Sequence, residues 1–160
     1  MSTGDCFITI EGAAGESEDT DFPNSIEVLG WDWGMEMAAS TGRADAGTNA
    51  KADVKVFTFG HRFDAASPAL MTHCIFNKPL KVATLTMRRA AGDQKGQKYL
   101  IIVFKQLRVA HLKMVHSTEH VRPFESVSLA FEEVQVDYVQ QARHGRDQTG
   151  KKTAVWRLHS

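Results

Sequence analysis

Ile26-Glu27-Val28-Leu29-Gly30-Trp31-Asp32-Trp33-Gly34-Met35-Glu36-Met37 alternates large apolar residues with small or acidic ones from Leu29 onward. Successive side chains of an extended chain point to opposite faces, so Leu29, Trp31, Trp33, Met35 and Met37 share one face, and the pattern predicts that this face is buried. The other face carries Val28, Gly30, Asp32, Gly34 and Glu36, and from Gly30 onward it suits water or a closely approaching surface. A strand with one aromatic face and one bare face builds a wall better than an active site.

Upstream, Phe7 to Glu11 alternates as a strand, and Gly12 to Asn24 forms an acidic connection closed by Pro23. Downstream, Ala38 to Asp53 is rich in Ala, Gly, Thr and Ser without a period, and 16 residues is long for a connection inside a compact domain. Val54 to Phe63 resumes strand character with Phe57 and Phe59 on one face. Ser67-Pro68 has the form of an N-cap and an N1 proline, which predicts a helix over about Pro68 to Asn77 with Leu70, Met71, Cys74 and Ile75 on its buried stripe. Phe76 falls on the opposite side with His73; exposed, it marks a partner surface, and the simpler alternative is packing under a loop. Leu80 to Arg89, Lys98 to Val109 and Thr153 to Leu158 also read as strands. Between Glu125 and Gln141 the apolar parity changes at Glu132-Glu133, which predicts a β-bulge at a barrel corner. The expectation is a mainly β fold, one β-barrel domain over residues 1–160 with a single helix.

Formal net charge is zero and the isoelectric point is about 7.1, which argues against a dedicated nucleic-acid binder. The balance hides an asymmetry: residues 1–80 hold 12 acids and 5 bases, and residues 81–160 hold 7 acids and 14 bases, so the halves carry −7 and +7. Charges separated onto different surfaces favour head-to-tail contacts, which close into rings or grow into filaments; the alternative is that the halves interleave and the charges mix. Cys6 and Cys74 are far apart and form no C-x-x-C pattern, so they read as reduced thiols. No apolar run approaches the roughly 20 residues of a membrane span, and the N-terminus lacks the basic and apolar regions of an export signal, so any export is expected to be signal-independent.

Catalytic patterns are missing. His111, His116 and His120 lie close together in what reads as a connection between strands, but their spacing matches no metal-binding pattern. Glu132 and Glu133 point to opposite faces and cannot flank one substrate atom. No Ser occupies a G-x-S-x-G elbow and no Gly-rich strand-to-helix turn cradles a phosphate. The chain is therefore expected to be no enzyme and to hold no cofactor or metal. Trp31 and Trp33 suit base stacking or a ligand pocket, but their spacing favours a core role.

Taken as a set, Phe7-Ile8-Thr9-Ile10-Glu11-Gly12, Gly15-Glu16-Ser17, Ile26 to Gly34, Ser67-Pro68-Ala69-Leu70-Met71, Tyr99-Leu100-Ile101-Ile102 and Glu133 to Tyr138 resemble the haemolysin-coregulated protein (Hcp) family of bacterial type VI secretion. The resemblance spans essentially the whole chain. It implies two β-sheets closed into a barrel with one flanking helix, a six-subunit ring, and rings stacked into a hollow tube inside a contractile sheath. It further implies a spike protein at the tip, effector proteins carried in the lumen, and passage from the bacterial cytoplasm to the outside or into a target cell. By the same resemblance the Trp-x-Trp strand lines the lumen, with Val28, Gly30 and Asp32 facing cargo and Leu29, Trp31 and Trp33 forming its core. The loop that follows, with Ser40, Thr41, Gly42, Arg43, Asp45, Gly47 and Asn49, contacts neighbouring subunits and rings. Two departures stand out: many relatives carry a run of glycines in that loop, and many place a small neutral residue where Asp32 stands. Some relatives also append a toxin domain, for which no room follows the last strand. The alternative of a different class is a monomeric small-ligand-binding β-barrel with Trp31 and Trp33 facing an internal cavity; oligomeric state separates the two.

Overall fold

The computed structural model describes residues 5–37, 52–91, 94–140 and 150–158. They form β1 (Cys6–Ile10), β2 (Ile26–Glu27), β3 (Gly30–Asp32), β4 (Met35–Met37), β5 (Ala52–Val54), β6 (Phe57–Arg62), helix α1 (Ser67–Ile75), β7 (Leu80–Ala91), β8 (Gln94–Val115), β9 (Phe124–Val139) and β10 (Lys151–Arg157). Eight strands make one antiparallel sheet in the order β2-β1-β7-β8-β9-β6-β3, with β10 also paired to β9, while β4 and β5 form a separate ribbon. The larger sheet is a half-barrel, with the β4–β5 ribbon as the second sheet.

Its edges, β2 and β3, are consecutive pieces of one segment. Ile26 and Glu27 pair with β1, the Val28 N–H donates to the Cys6 carbonyl at 3.0 Å, and the Leu29 N–H donates to the Gly60 carbonyl at 2.8 Å. From Gly30 the chain pairs with β6. Changing partner mid-segment lets one stretch of chain cover part of the otherwise free sides of both β1 and β6. The change also breaks side-chain alternation. Ile26 and Val28 point into the core, and then Trp31 and Trp33 do, so Leu29 and Gly30 both face out. This corrects two expectations: Leu29 is 50% exposed, and Val28, at 6%, is buried inside the protomer and cannot face cargo. Met35 and Met37 are exposed as well, because β4 has left the sheet to pair with β5.

The anticipated bulge at Glu132-Glu133 is not there. Register between β8 and β9 runs unbroken through Lys105↔Glu133 and Leu107↔Phe131, and shifts instead between Val109 and His111. The parity change is nonetheless real, and three strands share it. On β7 the buried residues pass from Leu80 to Ala83, on β8 from Phe104 to Leu107, and on β9 from Phe131 to Val134. Because all three switch along one line, the sheet folds without any strand slipping. Gln106, at φ 56°, takes up the strain in the middle strand.

Helix α1 starts one residue before the expected bound and ends two before it. Ser67 lies inside the helix rather than capping it; its Oγ accepts the Asp64 N–H at 3.1 Å, and Asp64 Oδ1 accepts the Ala66 N–H at 2.9 Å. Leu70 is buried, but Ile75 (76% exposed) and Phe76 (67%) are not, so no loop of the described residues covers Phe76. The acidic connection between β1 and β2 is clamped by Arg88. Its guanidinium makes a paired hydrogen bond to Asp19, lies 3.5 Å from Asp21 and 3.6 Å from Asp5, and sits 5.0 Å above the Phe7 ring, which itself stacks on Phe22. Arg122 adds a 3.8 Å pair with Glu16. At these points the acidic and basic halves meet within one protomer. Cys6 and Cys74 are free thiols, and burial pushes the Cys6 thiol up to about 12, which leaves it unreactive.

Candidate functional site

The two faces of β3, β6, β9 and β8 differ sharply in chemistry. On the inner face Trp31 lies 5.5 Å from Phe57, ring to ring. Trp33 stacks on Trp156 at 5.8 Å and 10°, meets Phe104 and Phe131 edge-on at 5.9 and 5.8 Å, and donates its indole N–H to the Lys55 carbonyl at 3.0 Å. Both tryptophans are half-buried and pack against the core.

On the outer face, register brings small and polar residues into two rows across four strands. Asp32 lies opposite Thr58, Thr58 opposite Ser128, and Ser128 opposite His111. Beside that row run Gly30, Gly60, Ser126 and Lys113. Thr58 and Ser128 hydroxyls hydrogen-bond at 2.8 Å, with Ser128 itself on the outward side but covered to 7% exposure, and a methyl added at Gly30 meets no heavy atom within 4 Å. The result is a low wall with an exposed carboxylate at one end and an exposed cationic side chain near the other. The β8 bulge at Ala110 creates it: the extra residue lets Val109 and Leu112 both contact the core while His111 and Lys113 point outward.

Of the residues expected to face cargo, Gly30 and Asp32 are on this wall and Val28 is not. His111 belongs to β8 rather than to a connection, and His120 sits edge-on against the Phe124 ring at 4.6 Å. No group of three His, Cys, Asp or Glu among the described residues has metal-binding geometry. Ser40, Thr41, Gly42, Arg43, Asp45, Gly47 and Asn49 lie outside the described residues. Among the described residues, a cleft of about 430 Å³ beside Phe7, Leu29 and Arg62 and another of about 300 Å³ beside Val54 and Leu158 are lined by neither Trp31 nor Trp33.

The family model described as type VI secretion system effector, Hcp, matches residues 7–138. The chain belongs to the Hcp family. It is 34% identical over 154 residues to the protein hcp1 of Pseudomonas aeruginosa, covering 96% of this chain and 94% of that one. Its fold matches Hcp1 of Salmonella typhimurium with a TM-score of 0.77 at 35% identity, over 96% of this chain and 94% of that one. A type VI secretion system effector from Yersinia pestis matches with a TM-score of 0.77 at 31% identity, over 96% and 99%. In this Hcp chain the wall also contains Thr58, Ser126, Ser128 and Lys113, which sequence reading did not single out. Their signal was available: Thr58 and Gly60 alternate with Phe57, Phe59 and His61, and Ser126 and Ser128 alternate with Glu125, Val127 and Leu129. Trp156 as the stacking partner of Trp33 had no such signal, because it depends on β10 pairing with β9.

Proposed function

We propose that this chain is a structural, non-enzymatic subunit of a type VI secretion tube: a single barrel domain that closes six-fold into a ring, stacks ring on ring, and is expelled with effector proteins in its lumen. The observation that carries the reading is the two-row polar wall on β3, β6, β9 and β8, together with membership of the Hcp family. A lumen that passes varied folded cargo benefits from a surface with little relief and no apolar patch to trap it. Leu29, Met35, Met37, Ile75 and Phe76, apolar and exposed in the protomer, are the residues offered to neighbours: adjacent subunits, the next ring, the sheath or the spike. The segment between β4 and β5, with Arg43 and Asp45, is assigned to the same contacts. Sedimentation with negative-stain microscopy tests the reading. Rings of six are expected; a monomer at tens of micromolar, where weak assemblies form, overturns it and favours the ligand-binding barrel.

A further inference from the structure

His61 is 1% exposed, on the inner face of β6, one step along from Phe59, whose ring lies 5.6 Å away. Opposite it in the β6–β9 ladder stands Glu125, equally buried, with its Oε1 2.8 Å from His61 Nε2. On the other side of the ring, Nδ1 has no hydrogen-bond partner and lies 3.7 Å from Asp64 Oδ1, within ion-pair range but beyond a hydrogen bond. Both nitrogens therefore face carboxylate oxygens. A neutral imidazole has one N–H and one lone pair, and either tautomer would aim the lone pair at an acceptor. Only the imidazolium presents a proton on each side. It also places a positive charge beside Glu125, which is equally buried and whose Oε2 has no hydrogen-bond partner. Asp64 carries a second duty, because the same Oδ1 accepts the Ala66 N–H at the start of α1.

We propose that His61 is a proton-held latch, an imidazolium clamped between Glu125 and Asp64 that ties strands β6 and β9 to the segment leading into α1, and that loss of its proton releases that segment. The surrounding charges do not substitute for it. Arg62 follows it on β6 but points to the outer face, and it borders the cleft with Asp64, Arg122 and Glu27. From β8, Met114 lies opposite Glu125, and Lys113 is on the outer wall opposite Ser126. The β3 register with β6 ends at Gly60, so Asp32 lies opposite Thr58 and faces away. On α1, His73 is turned to the Lys78 carbonyl.

Burial alone disfavours the charged ring, but Asp64 and Glu125 outweigh it and hold the imidazole protonated up to about 9. The group is raised above its ordinary value of 6.5, so the stability it contributes is fully present below about pH 6.5 and is lost as pH rises through about 9. The latch lies inside one protomer, so its test stands apart from the ring. With ¹³C-labelled histidine, the resonance missing from His61→Gln should titrate in the wild type above pH 8; a midpoint at or below 6.5 overturns the proposal. Urea unfolding at fixed protein concentration should show the unfolding constant rising roughly a hundredfold from pH 6.5 to 9.5, beyond any rise in His61→Gln. Amide hydrogen exchange of Ala66 and Leu70, corrected for the intrinsic rate at each pH, should be fast at every pH in His61→Gln and fast only above pH 9 in the wild type. Equal protection in both overturns release of the helix. Asp64→Asn, which keeps an oxygen for Ala66, should lower the His61 midpoint by a unit or more and serves if His61→Gln does not fold; an unchanged midpoint removes Asp64 from the latch.

Discussion

The closing segment, residues 26–33 with β2 and β3 in it, lies beside β6 and carries the same pattern, yet the two fold to different depths. In β6, Phe57, Phe59 and His61 alternate without interruption and are each at most 1% exposed. In the closing segment Leu29, Trp31 and Trp33 alternate just as regularly, and Leu29 is out while both tryptophans are half-buried. The difference is in partners. β6 keeps β3 on one side and β9 on the other, whereas the closing segment exchanges β1 for β6 between Val28 and Leu29. Alternation tells which residues share a face only while a strand keeps its neighbours, and it says nothing of depth.

Phe57→Ala should break the comparison most severely. Phe57 is fully buried and contacts Trp31, Phe59 and Phe104, so its truncation is expected to cost about 3 to 5 kcal/mol by urea unfolding. Trp33→Ala, despite removing a larger ring, should cost less, roughly 2 to 3 kcal/mol, because the side chain is already half in water. Were Trp33→Ala the more damaging, depth would follow from pattern after all. A double-mutant cycle with Trp156→Ala should return a coupling of roughly 0.5 to 1.5 kcal/mol for the stacked pair.

Much of this fold was legible because strands with constant partners obey period 2: β6 and the first part of β9 are where alternation puts them. What was illegible depended on pairing. The parity switch in β9 was visible at Glu132-Glu133, but a bulge in one strand and a fold line crossing three leave the same mark on any single strand. The neighbours settle it, with Leu80 and Ala83 on one side and Phe104 and Leu107 in the middle. For the candidate site, Gly30 and Asp32 were readable from their own strand, and Val28 was misplaced because it precedes the partner exchange. His61 looked like one more member of an aromatic face, since the sequence does not say that Glu125 stands opposite.

The fold line offers a subtler break. Gln106→Val puts a β-branched residue at φ 56° and should cost about 1 to 2 kcal/mol, although the side chain is exposed. If Val is tolerated without loss, the line is set by core packing rather than by the backbone at Gln106.

Asp32 gives the smallest effect on stability and the sharpest test of the outer wall. It is exposed, and substitution there should change unfolding free energy by no more than about 0.5 kcal/mol. In the proposed ring its carboxylate repeats once per subunit on the lumen side. Like charges repeated around a closed wall build a field that favours cargo with a basic patch and disfavours acidic cargo. Asp32→Arg reverses that field, while Asp32→Ser only removes it, so cargo retention should change strongly in the first and mildly in the second. The measurement is the steady-state level and ring-bound fraction of effectors co-expressed with each variant, with rings confirmed by microscopy. Unchanged cargo in an intact Asp32→Arg ring would show that the wall of β3, β6, β9 and β8 faces something other than cargo.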